Sequence, residues 1–236
     1  MQWARILALS ALPGAVGLMP VPALAGAWPR GEGQSFISVS GLFSTGLESL
    51  QTPGSDFSLF GSVFAEYGLT EAWTLGFIGS IADGDDSQEY AGIVTARRTL
   101  AQLDSGHVFA AELGLGWLDE TEDGSTARIR PGLSWGRGFE SDLGGGWMAV
   151  DGSVEWRVAE DELVYKADFT LGLRPAARWL VFGQLQTAYF PDGEIVKLAP
   201  NIAYEVWEGS HLQLGLSIGL AGDDGVGVQL AQWFAF

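Results

Sequence analysis

From residue 34 to the last residue the chain keeps returning to one pattern, in which apolar residues alternate with polar or small ones. Alternation of period two puts successive side chains on opposite faces of a β-strand, so each run predicts a strand with one oily and one wetter face. Such runs cover Gln34–Phe43, Asp56–Tyr67, Trp73–Ala82, Tyr90–Leu100, His107–Leu118, Ala127–Phe139, Trp147–Val158, Leu163–Arg174, Trp179–Tyr189, Ile195–Val206, His211–Ala221 and Val226–Phe236. That makes roughly twelve strands, an even number, as a single-chain barrel with both termini on one side requires. Each is long enough for a tilted membrane crossing of ~9–11 residues. The first and fourth are poorly patterned, and the fourth carries Arg97-Arg98 on mixed faces. Pro200 inside the tenth predicts a bulge.

Alternation alone also fits a soluble β-sandwich. Three further features favour a membrane barrel. Nearly every strand carries the apolar face. Aromatics fall at strand ends on that face: Trp73, Trp135, Phe139, Trp179, Tyr204 and Phe236 at one predicted rim, and Phe43, Trp117, Trp156, Tyr165 and Tyr189 at the other. Two interfacial girdles are the mark of a transmembrane barrel. Acids gather in the connections after odd-numbered strands: Asp83, Asp85, Asp86 and Glu89; Asp119, Glu120, Glu122 and Asp123; Glu160, Asp161 and Glu162; Asp192 and Glu194; Asp223 and Asp224. The opposite connections are short.

The two chain ends agree with this reading. Residues 1–25 predict a cleaved signal peptide: Arg5, an apolar stretch Ile6–Leu18, then Ala23-Leu24-Ala25 as an A-x-A site. Ala25-Gly26-Ala27 offers a second cleavage site, after residue 27. The apolar core is too short for a membrane-spanning helix. Residues 26–236 then form one barrel domain, and the short lead-in before the first strand leaves no room for a plug domain. The last strand ends in Phe234 and Phe236 after polar Gln229, and it resembles the C-terminal assembly signal of Gram-negative outer-membrane β-barrels, with Ala231 where that pattern usually has Gly. Glu66-Tyr-Gly-Leu-Thr-Glu-Ala-Trp-Thr-Leu-Gly76 resembles their strand–turn–strand unit. The resemblance is to small porins and outer-membrane transporters as a class, and it covers the mature chain. It implies an all-β, up-and-down antiparallel transmembrane barrel in the outer membrane. Its implied partners are outer-membrane lipid and lipopolysaccharide, the barrel assembly machinery and small solutes.

Composition narrows the chemistry. Cysteine is absent, so there is no disulfide, thiolate nucleophile or thiolate metal site. The net charge of −17, which becomes −18 once Arg5 is removed, argues against nucleic-acid binding. The only histidines, His107 and His211, start strands at one rim and read as interfacial or turn residues, with no Ser–His constellation beside them. Neither an enzymatic activity nor a cofactor is expected. Asp83, Asp85 and Asp86 are weak candidates for a divalent cation, lacking EF-hand spacing.

The informative polar residues point inward. Arg128, Arg130, Arg157, Lys166, Arg174 and Lys197 would share a lumen with Glu112, Asp151, Glu155, Asp168 and Glu205. Glu155, Arg157, Lys166 and Asp168 are expected near one level on adjacent strands, where opposite charges pair. Two outcomes stay open. The charges fill a narrow, rigid barrel with ion pairs, or they line a water-filled pore as opposed walls of charge. A barrel of this size lies between the side-chain-filled eight-strand case and open porins of ~16–18 strands. The first reading is therefore a narrow passive channel for small polar or charged solutes. The second is a non-conducting surface barrel whose acidic loops bind divalent cations or lipopolysaccharide. An outer-membrane enzyme is a remote third.

Overall fold

The computed structural model describes residues 26–46, 57–83, 88–120 and 124–236. Twelve strands follow in chain order: β1 (Ser35–Gly46), β2 (Ser58–Gly68), β3 (Trp73–Asp83), β4 (Gln88–Gln102), β5 (His107–Glu120), β6 (Gly124–Ser141), β7 (Gly144–Arg157), β8 (Glu162–Ala176), β9 (Trp179–Phe190), β10 (Gly193–Trp207), β11 (Ser210–Ala221) and β12 (Gly225–Ala235). Each pairs antiparallel with its sequence neighbours, and β12 pairs with β1, so the sheet closes into a barrel. Closure satisfies every edge, which is what a sheet surrounded by lipid requires. The seam runs from Phe36 opposite Ala235 to Gly46 opposite Gly225. It is tied at its end by Ser35 and Phe236, whose backbone groups exchange hydrogen bonds of 2.6 and 3.0 Å.

The faces divide as the alternation predicts. Outward side chains form a continuous apolar belt, with Leu115, Leu133, Leu171, Leu214 and Leu230 each about half exposed or more. Apolar surface on this scale has no counterpart in a water-soluble monomer. Trp73, Trp179 and Phe236 are exposed at the end where β1 begins and β12 finishes, here called the near end. Phe43, Trp117, Trp156, Tyr165 and Tyr189 are exposed at the far end. Trp179 packs on Tyr204 with ring centroids 4.8 Å apart, and the guanidinium of Arg98 lies 5.6 Å from the ring of Trp73. Arg98 thus stays at the near rim facing out while its neighbour Arg97 turns in, which resolves the mixed pattern of the fourth strand.

Several expectations are corrected. Pro200 does not make a bulge. It pairs opposite Gly183, and the register with β11 is the same on either side of it; the irregularities of β10 lie between Val196 and Lys197 and between Glu205 and Trp207. Pro200 faces outward, and its missing N–H is absorbed without an inserted residue. Strands also extend past the predicted ends, so Asp83, Asp119, Glu162 and Glu194 belong to strands rather than loops. The short lead-in does enter the barrel. Ala27 is fully buried and Trp28 packs against the inner hydrophobic cluster.

That cluster is the core of the molecule, and it lies inside the barrel at the near end. It joins Phe36 of β1, Trp147 of β7, Leu180 and Phe182 of β9, Ala203 of β10 and Ala231 and Trp233 of β12. Trp233 lies on the face that alternation marks as the wetter one, yet it is 1% exposed and contacts Phe36, Phe182 and His211. His211 is accordingly a buried lumen residue and not an interfacial one. His107 keeps its place on the outward face of the near rim, where Trp135 Nε1 donates to its Nδ1 at 3.0 Å.

Candidate functional site: a charged lumen

Inward positions on β2 to β8 carry a ladder of alternating charges. It begins on the lead-in, where Arg30 Nε reaches Glu66 at 2.5 Å. Arg97 meets the other oxygen of Glu66 at 2.6 Å and lies 3.9 Å from Glu112, its direct partner across β4 and β5. Arg130 closes on Glu112 at 3.3 Å. A second group follows: Arg128 is hydrogen-bonded to Glu155, and Arg157 lies 3.8 Å from the same carboxylate. The side chains of Glu66 and Glu155 are 4% and 0% exposed, so these pairs are far from bulk water. Register explains the arrangement. Arg128 sits opposite Arg157 across β6 and β7, and Glu155 supplies the charge that lets two cations share one level.

The expected level of Glu155, Arg157, Lys166 and Asp168 is only partly realised. Lys166 faces Ser153, two positions from Glu155's own level, but Asp168 faces Asp151. Two carboxylates are therefore directly opposed on the inner face, an arrangement that costs stability. The Ser134 hydroxyl and the Thr187 backbone N–H lie close to Asp151 and Asp168 respectively, and Arg97 and Lys166 act on the two carboxylates from further off. The ion pairs among the described residues use Glu66, Glu112, Glu155 and Asp223, and they leave out both Asp151 and Asp168.

The remaining predicted residues lie apart from this group. Arg174 folds back on its turn and donates to the Ala177 carbonyl at 3.0 Å. Glu205 accepts from the Gly209 backbone N–H at 3.4 Å beside His211. Lys197 pairs with Asp223 at 2.5 Å at the far mouth. There, burial pushes the Asp223 carboxyl up, but the Lys197 ammonium and the Gly225 N–H more than offset it and hold the group below the usual range. Asp85 and Asp86 lie outside the described residues, and Asp83 bonds to Gln88 instead. No group of three or more His, Asp or Glu converges on a metal position among the described residues.

Midway along the lumen charge occupies one wall only, where opposed walls were expected; on the other wall Lys197 and Glu205 of β10 stand at the far and near ends. The wall from β9 through β12 to β1 carries Gln184, Asn201, Gln213, Ser38 and Ser40. Its bonds are neutral: Gln213 Nε2 to Asn201 Oδ1 at 2.5 Å, and the Ser40 and Ser62 hydroxyls at 2.7 Å. Between the two walls lies a chamber of about 220 Å³, bordered by Arg97, Arg130, Asp151, Lys166, Asp168 and Gln184. A second chamber of about 290 Å³ opens at the far mouth beside Lys197, Asp223 and Asp224. The inner one holds on the order of seven waters at ~30 Å³ each.

Below the inner chamber the lead-in descends to the near rim. Gly26 N donates to Asp151 Oδ1 at 3.1 Å, Arg97 donates to the Trp28 carbonyl at 3.2 Å, and Arg30 N donates to Thr74 Oγ1 at 3.1 Å. The Trp28 ring lies against the bare backbone of Gly136, where any side chain would collide with it. Arg30 also lies 4.5 Å over the ring of Phe36. The segment then turns through Gly33, which has a φ of 78°, into β1.

The lumen candidates drawn from the sequence omit Arg30, Glu66, Arg97 and Trp28. Glu66 is legible from its inward parity, whereas the lead-in has no periodicity to read.

No protein-family model matches the chain, and no curated protein sequence matches it. Solved structures do match in shape. The KdgM porin superposes with a TM-score of 0.59 at 8% identity over 84% of this chain and 99% of that one. The NanC porin gives 0.59 at 9% identity over 84% and 98%. The β-domain of the Bordetella autotransporter BrkA gives 0.55 at 12% identity over 87% and 100%. At these identities the likeness is one of fold, and it extends over nearly the whole of each neighbour: the chain is a closed twelve-strand antiparallel β-barrel of the kind found in outer-membrane porins and autotransporter β-domains.

Proposed function

We propose that the protein is exported by cleavage of residues 1–25, inserts in the outer membrane, and forms a narrow passive channel for small polar or charged solutes. The observation that carries this reading is the pairing of an apolar outer belt with a lumen lined on one wall by Arg97, Arg128, Arg130, Arg157 and Lys166. These cations, whose desolvation costs several kcal/mol each, border the space a polar solute would cross. Porin neighbours support the reading, one of them a KdgM porin in complex with disordered oligogalacturonate. With the near end periplasmic, the acidic far mouth faces the exterior and concentrates cations from solution. Glu112, Asp151, Glu155 and Asp168 then border the path along with the basic side chains. Gln229, Phe234 and Phe236 act as the assembly signal read by the barrel assembly machinery, and lipopolysaccharide surrounds the outer rim.

A second reading is favoured by the near-end cluster. Phe36, Leu180 and Trp233 are almost wholly buried across the lumen, and the lead-in packs on them. In that reading the barrel does not conduct. Planar-bilayer recording of the folded protein separates the two. Discrete conductance steps support the channel, and their absence from heat-modifiable, folded protein refutes it.

A further inference from the structure

The opposed carboxylates of Asp151 and Asp168 have Arg97 and Lys166 in the same chamber but no ion pair of their own among the described residues, and the chain itself can supply one. Gly26 N already lies 3.1 Å from Asp151 Oδ1. A Cβ at residue 26 would come within 2.7 Å of that oxygen and 2.8 Å of Ser134 Oγ, so glycine lets the backbone nitrogen approach without displacing either side chain. As an internal amide this nitrogen carries one proton and no charge. The sequence directly before it, Ala23-Leu24-Ala25, is the predicted cleavage site.

We infer that hydrolysis after Ala25 turns the Gly26 nitrogen into an α-ammonium in direct contact with Asp151, beside Asp168, so that the new N-terminus adds a cation to this carboxylate pair and fixes the lead-in against the lumen wall. Water adds across the Ala25–Gly26 peptide bond. Ala25 leaves with the carboxylate, and the freed amine of Gly26 takes a proton. An ammonium has three donors in place of one, and its bond to a carboxylate is charge-assisted. The same event converts two opposed buried anions into a compensated site. Arg30 and Arg97 then hold the rest of the segment through Glu66 and the Trp28 carbonyl. The charge is made only in the processed chain, so export tightens a narrowing that the lead-in already imposes on the near end.

This inference rests on the export reading but not on conduction, and its test does not read current. The mature protein is purified from outer membranes, kept folded in detergent, and its intact mass gives the first residue. It is then treated with formaldehyde and cyanoborohydride, which dimethylate free amines. Only Lys166, Lys197 and the N-terminus can react, and peptide masses resolve all three. The chain is expected to begin at Gly26. Its amine should react at least about tenfold more slowly in the folded barrel than in urea, a ratio equivalent to about 1.4 kcal/mol. Asp151→Asn should recover most of that factor in protein that still shows heat-modifiable migration. Asp168→Asn serves as the second variant if the first does not fold. A chain beginning at Trp28 or elsewhere, equal rates folded and unfolded, or folded carboxamide variants that stay protected would each overturn the proposal. Silent bilayers would refute the channel and leave this result standing.

Discussion

Glu66 is the position where a single charge holds most of the near-end lumen together. Its two oxygens take Arg30 at 2.5 Å and Arg97 at 2.6 Å, and its side chain is 4% exposed. Glu66→Gln keeps the shape and deletes the charge. At an effective dielectric of 20, each contact near 2.5 Å is worth about 6–7 kcal/mol of gross attraction, most of it offset by desolvation of the partners. What remains after removal is the cost of leaving buried cations uncompensated, about 3–5 kcal/mol. Arg97 retains a distant second partner in Glu112 at 3.9 Å, so the lower half of that range is expected. The assay is urea-induced loss of the folded, heat-modifiable band for protein reconstituted in lipid vesicles. Asp223→Asn is the control, because the Lys197–Asp223 pair is about 30% exposed at the mouth and its loss should cost under about 1 kcal/mol. If Glu66→Gln and Asp223→Asn shift the midpoint equally, the lumen is as well hydrated as the mouth and the ladder is not a structural element.

Three further outcomes follow from the same geometry. Leu214→Arg places a cation on the outward face midway along β11, where Leu214 is 50% exposed; insertion at the bilayer midplane should cost about 2–4 kcal/mol in vesicles and much less in detergent. Trp233→Ala empties the fully buried centre of the near-end cluster and should cost about 3–5 kcal/mol; in bilayers it should raise conductance, and an unchanged current would place the constriction elsewhere. The depressed Asp223 carboxyl contributes stability that is complete above its unfolded value near 3.9 and is lost as pH falls through its lower folded value. A stability titration of wild type against Asp223→Asn should therefore show a constant difference above about pH 4 that closes as pH falls further.

Most of the barrel was legible because lipid enforces a strict rule. A strand crossing a bilayer must present apolar side chains at every second position, and the period survives any choice among Leu, Val, Phe or Trp. Strand number, order and the β12–β1 seam all come from that rule and from closure. The ends of strands were less legible. Beyond the belt a strand is solvated on both faces, so Asp119 or Glu194 extends it without breaking hydrogen bonds, and acidity alone reads as loop. Pro200 misleads for a related reason. A proline facing lipid with no inserted residue leaves the same sequence trace as one at a bulge.

The lumen obeys no such rule. Inside a barrel an inward position is polar only where water, or another polar group, is there to meet it, and which of these holds depends on what fills the middle. Trp233, Phe36 and Phe182 occupy inward positions that parity assigns to a wet face, because the lead-in residues displace the water there and make that end a core. Those residues have no period, since their neighbours come from several different strands. The charge pattern fails in the same way. Inward Arg and Glu are countable from parity, but whether Asp168 meets Lys or another Asp is set by a register that parity cannot give. A slip of two residues preserves every face and exchanges every partner. Asp151 opposite Asp168 is the clearest product of that freedom, and it becomes intelligible only when the nitrogen of Gly26 is seen beside it.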